Sequence, residues 1–341
     1  MPRIGRLHIP GGCYHVMGRG LERRRILATD TDKQDFINRL GTGLPETGTQ
    51  CFAWAMMDNH YHLLLRVGAN PLSDLMRKLL GGYATGYNRR HGRVGYVFQN
   101  RYKSILCDEE SYLLELVRYI HLNPVRAKII DSLSVLDSYP WTGHAVLLGR
   151  LQQDWQHTED VLARFSQQPA PAKDLYRQFI AQGLNMAGEI DYGGGGLIRS
   201  YGGWQSLEQV RKEHERKIGD ERILGDSDFV EQALRQDKLR VEARTQLMRE
   251  GWDLDVLIHA VCIFFQVEPA QVTQKARRNA LSFAKSVICY FGTKHLRLSS
   301  TMIGVRLNMG QSAVSMSSKR GRIVCDEKKL NLEQLAHYRV K

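Results

Sequence analysis

The sequence contains no run of about 18 or more apolar residues, the length that a membrane-spanning helix needs. Its first residues, 1–6, lack the apolar core of a secretion signal. The six cysteines are scattered and include no Cys-x-x-Cys pair, which argues against a zinc ribbon and against a disulfide framework. We therefore expect a cytoplasmic protein whose cysteines are reduced.

Acidic residues are absent from two stretches of the chain, and both stretches are basic. Residues 78–107 contain six Lys or Arg residues, and residues 269–325 contain ten. The formal net charge of the whole chain is +12, so the second stretch alone could supply most of it. Solvated faces normally mix charges of both signs, so two single-sign surfaces favour a polyanionic partner, either nucleic acid or an anionic membrane.

Two histidines, His60 and His62, lie one residue apart within the apolar run 51–67. If this run is a β-strand, both side chains face the same side of the sheet, within reach of one metal ion. A pair of surface or hydrogen-bonded histidines on an edge strand is the alternative, and a motif this short arises by chance. A metal site here would still need a third ligand.

The spacing of apolar residues predicts a sheet and three helices in the first part of the chain. The predicted strands span 12–17, 51–57, 60–67 and 97–106, and the predicted helices span 29–40, 70–90 and 108–124. Pro124 is expected to end the third helix at or before Asn123. On that helix Tyr119 and Asn123 are four residues apart, so they share a face.

The second half of the chain has weaker signals at first and then reads as helical. Pro169–Ala172 and Gly193–Gly196 are predicted linkers or loops, and helices are predicted at 174–184, 207–218, 228–236, 238–250, 253–265, 269–277 and 280–292. Residues 298–307 and 311–320, joined by a short turn with Gly310, have the form of a helix-turn-helix. The side chains predicted to pack are Ile303, Leu307, Ala313 and Val314, and those predicted to point outward are Gln311, Ser312, Ser315, Ser318 and Lys319. An ordinary pair of antiparallel helices is the alternative, which the basic surroundings disfavour.

Four motifs, in order, resemble the REP-associated tyrosine transposases, a group of single-tyrosine HUH transposases in which U is a bulky hydrophobic residue. The motifs are Gly12–Val16, Met57–Leu64, Asn88–Gly92 with Val97–Ser104, and Val117–Val125. The resemblance covers roughly residues 7–145. One departure is Asp58, in a turn, where the family usually has proline.

The resemblance implies a ferredoxin-like antiparallel sheet with helices on one side and both histidines on a central strand. It implies His60, His62 and Asn123 as metal ligands, Mg²⁺ or Mn²⁺ as the metal, and Tyr119 as the nucleophile. A neutral phenol, with a pKa near 10, is a poor nucleophile, and a divalent ion helps by stabilising charge on the scissile phosphate. Attack by tyrosine would leave a 5′-phosphotyrosine and a free 3′-OH.

Other side chains compete for these roles or support them. Four further tyrosines near basic residues are alternative nucleophiles: Tyr83, Tyr87, Tyr102 and Tyr112. His121 could act as a general base, but its position on the helix points away from Tyr119, which favours a structural role. The predicted DNA contacts in this part of the chain are Arg89, Arg90, Arg101 and Lys103.

Residues 255–323 resemble domain IV of the replication initiator DnaA. The resemblance includes Arg277-Arg278. It departs at the start of the recognition helix, where the family usually has Asp-His-Thr-Thr-Val and this sequence has Gly310-Gln311-Ser312-Ala313-Val314. The helix-turn-helix fold is therefore expected, but not the DnaA recognition sequence. The predicted DNA contacts here are Arg277, Arg278, Gln311, Ser312, Ser315 and Lys319.

The patterns predict an α+β protein with an all-α helix-turn-helix domain at its C-terminal end, and the resemblance implies that the first domain is a ferredoxin-like HUH domain. The expected domains are a catalytic domain at 1–145, a mostly helical connecting region at 146–235 and a DnaA domain IV-like domain at 236–341. The expected function is metal-dependent cutting and rejoining of single-stranded DNA at hairpin repeats, with sequence-specific duplex binding by the C-terminal domain. The expected partner is DNA at the nucleoid rather than a membrane, and a monomer is favoured. Rival interpretations are a non-catalytic DNA-binding regulator and an RNA-binding protein, although the strands lack the aromatic motifs of the latter.

Overall fold

The computed structural model describes residues 6–68, 70–184, 219–277, 279–296 and 298–338. The chain divides into two compact units, residues 1–237 and residues 238–341. The predicted loop Gly193–Gly196, the predicted helix at 207–218 and the predicted DNA contact Arg278 lie outside the described residues.

The first unit is built on a five-stranded sheet with the strand order β2-β3-β1-β4-β5. The strands are β1 (Cys13–Arg19), β2 (Gln50–Met56), β3 (His60–Arg66), β4 (Lys103–Cys107) and β5 (Ile223–Leu224). β1, β2, β3 and β4 pair antiparallel, while β5 pairs parallel to β4. The sheet is therefore mixed, and the predicted α+β class with a helical C-terminal part is confirmed.

Helices cover both faces of this sheet, so the expectation of helices on one side is wrong. Helices α1 (Asp30–Thr47) and α2 (Leu72–Arg90) pack on the face that carries Tyr14, Val16 and Leu63. Helix α3 (Glu109–Arg126) packs on the opposite face, against residues such as Leu64 and Ile105. Each face carries alternate residues of the same strands, which is why one strand supplies two separate cores.

Two helices run past the ends predicted from their prolines and glycines. Helix α1 begins with a capping box between Thr29 and Asp32 and continues to Thr47 because Leu44 extends its buried face. Helix α3 likewise continues to Arg126, so the predicted stop at Pro124 is wrong. In the last turn, proline removes only the one hydrogen bond that its missing N–H would have made.

The region after α3 consists of short helices, and some of them contribute side chains to a buried polar cluster. The elements are α4 (Leu133–Leu136), α5 (His144–Leu147), α6 (Glu159–Leu162) and α7 (Pro169–Gln182). The Tyr176 hydroxyl lies 2.8 Å from His121 Nδ1 and 2.7 Å from His144 Nδ1, and His144 Nε2 lies 3.1 Å from Asp137 Oδ1. Tyr176 thus ties α7 to α3 and α5. The predicted linker Pro169–Ala172 is instead the first turn of α7, where proline is well tolerated.

The second unit is an all-helical bundle. Its elements are the C-terminal part of α8 (Ser227–Arg249), then α9 (Leu254–Phe264), a 3₁₀ turn (Pro269–Thr273), α10 (Ala280–Lys294), α11 (Ser300–Leu307), α12 (Gln311–Lys328) and α13 (Leu332–Ala336). The single helix α8 spans the two helices predicted at 228–236 and 238–250. Residues 274–277 were predicted as helix, but they are irregular chain after the 3₁₀ turn. No helix within the described residues is both long and apolar enough to cross a membrane.

Helices α11 and α12 occupy the region predicted as a helix-turn-helix, and they are joined at Asn308 and Gly310. Ile303, Leu307 and Val314 are buried as predicted. Ala313 is exposed, and Ser318 is buried with its hydroxyl 2.8 Å from that of Thr293. The predictions for Ala313 and Ser318 are therefore wrong, because α12 packs against α10 as well as α11.

Candidate active site

Strand β3 places two histidines on an interior strand, between β2 and β1. His60 is the first residue of β3, and its partner across the ladder is Arg19, while His62 is opposite Met17. The alternation of the strand turns both imidazoles toward the face that α3 covers. Their rings lie 5.1 Å apart, centroid to centroid, at a steep angle.

Each of the two imidazoles has a hydrogen-bond partner at Nδ1. His62 Nδ1 lies 2.9 Å from Nε2 of His15, a buried residue of β1. His60 Nδ1 lies 2.6 Å from Oδ1 of Asn59, which can only accept, so Nδ1 of His60 carries the proton. Both bonds leave Nε2 of His60 and His62 for another ligand, the arrangement that metal-binding histidines commonly have.

Both imidazoles are held in the neutral form by their surroundings. Burial lowers the pKa of His60 to about 4, and the positive charge of Arg19 adds to the shift. Burial also lowers the pKa of His62 well below its usual value, with His15 and His60 contributing. Neutral imidazole is the form that coordinates a metal ion, so the site is prepared for one at neutral pH.

Helix α3 brings Tyr119 against the rings of His15 and His62, the two histidines that are in hydrogen-bond contact with each other. The half-buried Tyr119 ring meets both His15 and His62 edge-on, with centroids 5.8 Å away in each case. One turn later, the Asn123 amide nitrogen donates to the Tyr119 carbonyl oxygen at 2.8 Å. This bond uses the amide nitrogen of Asn123, so its amide oxygen is the group that could bind a cation.

These side chains line one cleft of about 500 Å³. Its wall is completed by three basic side chains and by polar or small residues from β1 and from the segment before β4. The lining residues are Met17, Gly18, Arg19, His60, His62, Gln99, Asn100, Arg101, Lys103, Tyr119 and Asn123. A cleft with several cations beside a phenol suits an anionic substrate.

The donor set of the cleft fits a divalent ion. Two neutral imidazole nitrogens and one amide oxygen would occupy three positions and leave others for phosphate oxygens or water. Among the described residues, no group of three or more His, Cys, Asp or Glu side chains is arranged to hold a metal. A site here would therefore depend on Asn123, or on the substrate, for its remaining ligands.

The alternative nucleophiles occupy other environments. The hydroxyl of Tyr83 donates to the backbone oxygen of Ile26, and that of Tyr87 donates to the backbone oxygen of Arg25 at 2.8 Å. Tyr102 is buried, and neither it nor Tyr112 lines the cleft. His121 is buried against Tyr176, on the side of α3 away from the cleft.

The predicted DNA contacts of the first unit separate into two groups. Arg101 and Lys103 line the cleft, whereas Arg89 and Arg90 do not. The Arg90 guanidinium is engaged by carboxylates of α1, at 3.1 Å from Asp32 and 2.8 Å from Asp35. Arg90 thus anchors the end of α2 to α1, and its use as a DNA contact would require breaking these pairs.

Sequence reasoning missed five residues of the site: His15, Arg19, Asn59, Gln99 and Asn100. In the sequence His15 is a polar residue inside the predicted strand at 12–17, and its contact with His62 depends on the β1–β3 register. Gln99 and Asn100 fall in a segment predicted as strand, which begins instead at Lys103. The backbone N–H of Gln99 donates to the Arg19 carbonyl at 3.0 Å, which brings this segment to the cleft.

The second unit contains a separate basic cleft of about 280 Å³ beside the turn between α11 and α12. Its cationic lining residues are Lys275, Arg277, Lys285 and Arg320. The buried Lys285 ammonium donates to the backbone oxygens of Gln274 and Leu307, at 2.9 and 3.1 Å. Gln311, Ser312 and Lys319 are exposed on α12, and Ser315 is half-buried.

A histidine pair that faces a helical tyrosine in a basic cleft suits a protein that acts on nucleic acid, because the cleft offers cations to an anionic substrate. The family comparison is consistent with this class: residues 10–123 match the family model described as "Transposase IS200 like". Over these residues, which are less than half of the chain, the sequence is similar to the IS200-like transposases. The match does not reach residues 255–323, where the resemblance to DnaA domain IV stays a prediction.

None of the curated proteins matches the chain. One similar solved structure is described as "Structure of the REP associates tyrosine transposase bound to a REP hairpin", at 16% identity and a TM-score of 0.37, covering 46% of this chain and 98% of that one. Another, a crystal structure assigned by its description to the transposases of Deinococcus radiodurans, has 19% identity and a TM-score of 0.26, covering 35% of this chain and 95% of that one. With TM-scores this low, neither likeness indicates what this chain binds or cuts.

Proposed function

We propose that this chain cuts and rejoins single-stranded DNA through a covalent bond to Tyr119. The observation that carries the proposal is the meeting of Tyr119 with His62, His60 and Asn123 in one basic cleft of an IS200-like transposase domain. Within that cleft, Tyr119 is the one tyrosine of the described residues that lines the wall. A phenol beside cations and neutral imidazoles has what nucleophilic attack on a phosphodiester requires.

The proposed reaction is a phosphoryl transfer in two reversible steps. Oη of Tyr119 loses its proton to solvent and attacks the scissile phosphorus, and the bond from phosphorus to the 3′-oxygen breaks. The departing oxygen takes up a proton to become a 3′-OH, and the DNA 5′-phosphate stays on Tyr119. Attack by a 3′-OH on the phosphotyrosine reverses the step, so strands can be rejoined without another energy source.

The residues of the cleft have distinct parts in this reaction. A divalent ion, Mg²⁺ or Mn²⁺, would be held by Nε2 of His60 and of His62 with the amide oxygen of Asn123, and would stabilise charge on the scissile phosphate. Arg101 and Lys103 would bind the neighbouring phosphates. The Arg126 guanidinium carbon lies 5.8 Å from the centroid of the Tyr119 ring, which favours negative charge on its oxygen.

The second unit is proposed to hold duplex DNA. The supporting observations are the two consecutive helices α11 and α12, the exposed Gln311, Ser312 and Lys319, and the cleft lined by cations. A protein with one site for a single strand and another for a duplex is suited to a folded hairpin repeat. We propose residues 1–145 as the catalytic domain, 146–235 as the connecting region, 236–341 as the DNA-binding domain, and a monomer as the active form.

One assay tests this function. The full chain is incubated with a labelled hairpin oligonucleotide carrying single-stranded flanks and Mg²⁺ or Mn²⁺, and a denaturing gel is run. We expect a covalent protein–DNA band that disappears in Tyr119→Phe and with chelator, but persists in Tyr112→Phe, a matched change on the same helix. An adduct that survives in Tyr119→Phe would overturn the assignment. Tight binding without any adduct would instead identify a non-catalytic regulator.

A further inference from the structure

The two most exposed large apolar side chains among the described residues belong to one short loop that precedes the cleft-lining residue Gln99 in the chain. Val94 is 96% exposed and Tyr96 is 85% exposed. This loop, residues 92–96, connects α2 to the segment that leads into β4. A tyrosine ring held in water at such exposure is unusual, because aromatic side chains contribute most when they are covered.

The loop is fixed at both ends, so the exposure of Tyr96 is a property of a defined conformation. The Asn88 side-chain amide donates to the Gly95 carbonyl at 2.9 Å, and the Arg93 backbone N–H donates to the Asn88 carbonyl at 2.8 Å. On the far side, Val97 is buried and its carbonyl accepts from the Leu21 backbone at 3.0 Å. Glycines at 92 and 95 take positive φ values of 58° and 97°, which turn the chain sharply.

The charges around the loop are positive and available. Residues 78–107 contain no Asp or Glu. Among the described residues, no carboxylate forms an ion pair with Arg89, Arg93 or Arg101, in contrast to Arg90. An exposed aromatic ring in a segment whose arginines at 89, 93 and 101 form no ion pair with the described residues is the combination that single-stranded nucleic acid recognises, through base stacking and phosphate contacts.

The loop also continues directly into the cleft. Gln99, Asn100 and Arg101 line the cleft, and Gln99 is three residues after Tyr96. Three residues of extended chain span at most about 11 Å. At about 3.4 Å per stacked nucleotide, Tyr96 lies within about three nucleotides of the cleft wall.

We propose that Tyr96, with Val94 beside it, is a stacking platform for a base of the single strand that flanks the cut, and that Arg89 and Arg93 hold its backbone. The inference rests on the proposed function for the single-stranded DNA substrate and adds a positioning site outside the reacting atoms. A stacked base fixes the strand in register, so that one phosphate is presented to Tyr119.

The test is equilibrium binding of the full chain, without metal, to a hairpin with a single-stranded tail and to the same hairpin without the tail. Tyr96→Phe keeps the ring, Tyr96→Leu keeps apolar area without a ring, and Tyr96→Ala removes both. We expect the alanine and leucine variants to bind the tailed hairpin about 5- to 150-fold more weakly, with unchanged affinity for the tailless one. The phenylalanine variant should bind like the parent, and 2-aminopurine at the stacked position should be quenched only when the ring is present.

Equal affinity of the alanine variant and the parent for the tailed hairpin would overturn the proposal. So would leucine binding as well as phenylalanine, which would mark an apolar contact rather than stacking. Loss of self-association in Tyr96→Ala, with DNA affinity unchanged, would identify the loop as an interface between copies. Because no cleavage is measured, a chain that forms no Tyr119 adduct but shows ring-dependent tail binding would refute the proposed function and leave this inference standing.

Discussion

Nε2 of His15 lies 2.9 Å from Nδ1 of His62, which joins a residue of β1 to a candidate metal ligand of β3. Since His62 Nδ1 is occupied in this way, only its Nε2 remains for a ligand in the cleft. His15 also meets the Tyr119 ring edge-on at 5.8 Å, so it contacts both halves of the site. It therefore orients groups on two elements without itself lining the cleft.

Replacing His15 should weaken metal binding without removing a ligand. In His15→Leu the Nδ1 of His62 loses its partner, and the imidazole is free to rotate or to change tautomer. Loss of a hydrogen-bond partner behind a metal-binding histidine typically reduces affinity about 10- to 100-fold. Titration of the full chain with Mn²⁺, followed by calorimetry, measures this change.

Two further variants make the His15 result interpretable. His157→Gln changes a half-exposed histidine outside the cleft and should leave Mn²⁺ affinity unaltered. His15→Gln, which can still bond to His62, should recover part of the lost affinity. If His15→Leu binds Mn²⁺ as tightly as the parent does, the proposed ligand role of His62 is wrong.

Acid should destabilise the first unit through its buried histidines on α3 and α5. Burial lowers the pKa of His144 to about 4, although the hydrogen bond with Asp137 opposes the shift, and Arg177 and Arg150 add smaller effects that lower it. Burial also lowers the pKa of His121 well below its usual value, with His144 contributing. Between about pH 6.5 and pH 4 the unfolded chain therefore binds more protons than the folded chain, and stability falls as pH falls.

The magnitude can be measured by urea unfolding at several pH values between 4 and 7. Each such histidine contributes a slope of up to about 1.4 kcal/mol per pH unit inside that window. His144→Gln should be less stable at pH 7, because the contacts with Tyr176 and Asp137 are disturbed, but its stability should depend less on pH. His157→Gln serves as the control and should keep the parent slope. An unchanged slope in His144→Gln would show that His144 is not the titrating group.

Local patterns were enough to predict the elements that carry the site. Helix α2 was predicted at 70–90 and spans Leu72–Arg90, because its apolar stripe, its opening after Pro71 and its closing at Gly92 agree with one another. The four-residue spacing of Tyr119 and Asn123 gave their shared helix face, since that spacing is a property of any helix. The strand β3 followed from the apolar run at 51–67 and from the turn that precedes His60.

Contacts that depend on register or on distant segments could not be predicted. The meeting of His15 with His62 requires β1 to pair with β3 at one offset, and a shift of one residue would turn His15 to the other face. Strand β5 is only two residues long and lies far along the chain from β4, its partner. No periodicity is visible in so short a segment, so the mixed character of the sheet was missed.

Helix ends were the least predictable feature, because packing decided them. Pro45 and Pro124 both lie inside helices, in last turns held by buried neighbours such as Leu44 and Leu122. In the second unit, Ser318 faces α10 rather than solvent because α12 is packed on two sides. Ser318 shows that a helix with two partners buries polar residues that a two-helix motif would expose.

The close contact of α10 with α12 makes Gly321 a sensitive position of the second unit. A Cβ atom at residue 321 would lie 2.0 Å from the backbone oxygen of Ser286 and 2.8 Å from Cβ of Tyr290. Neither of these atoms can move without shifting α10 itself, so Gly321→Ala must push the two helices apart. Overpacking of this kind typically costs about 1–3 kcal/mol or more. Hydrogen exchange of the full chain should show faster exchange of the amides in α10 and α12, and duplex DNA affinity should fall with it.

Gly81→Ala is the matched control, because a Cβ there meets nothing within 4 Å and alanine favours the helix α2 by about 0.5–1 kcal/mol. Unchanged exchange in α10 and α12 of Gly321→Ala would mean that the two helices are not packed as closely as the distance from Gly321 to Ser286 requires.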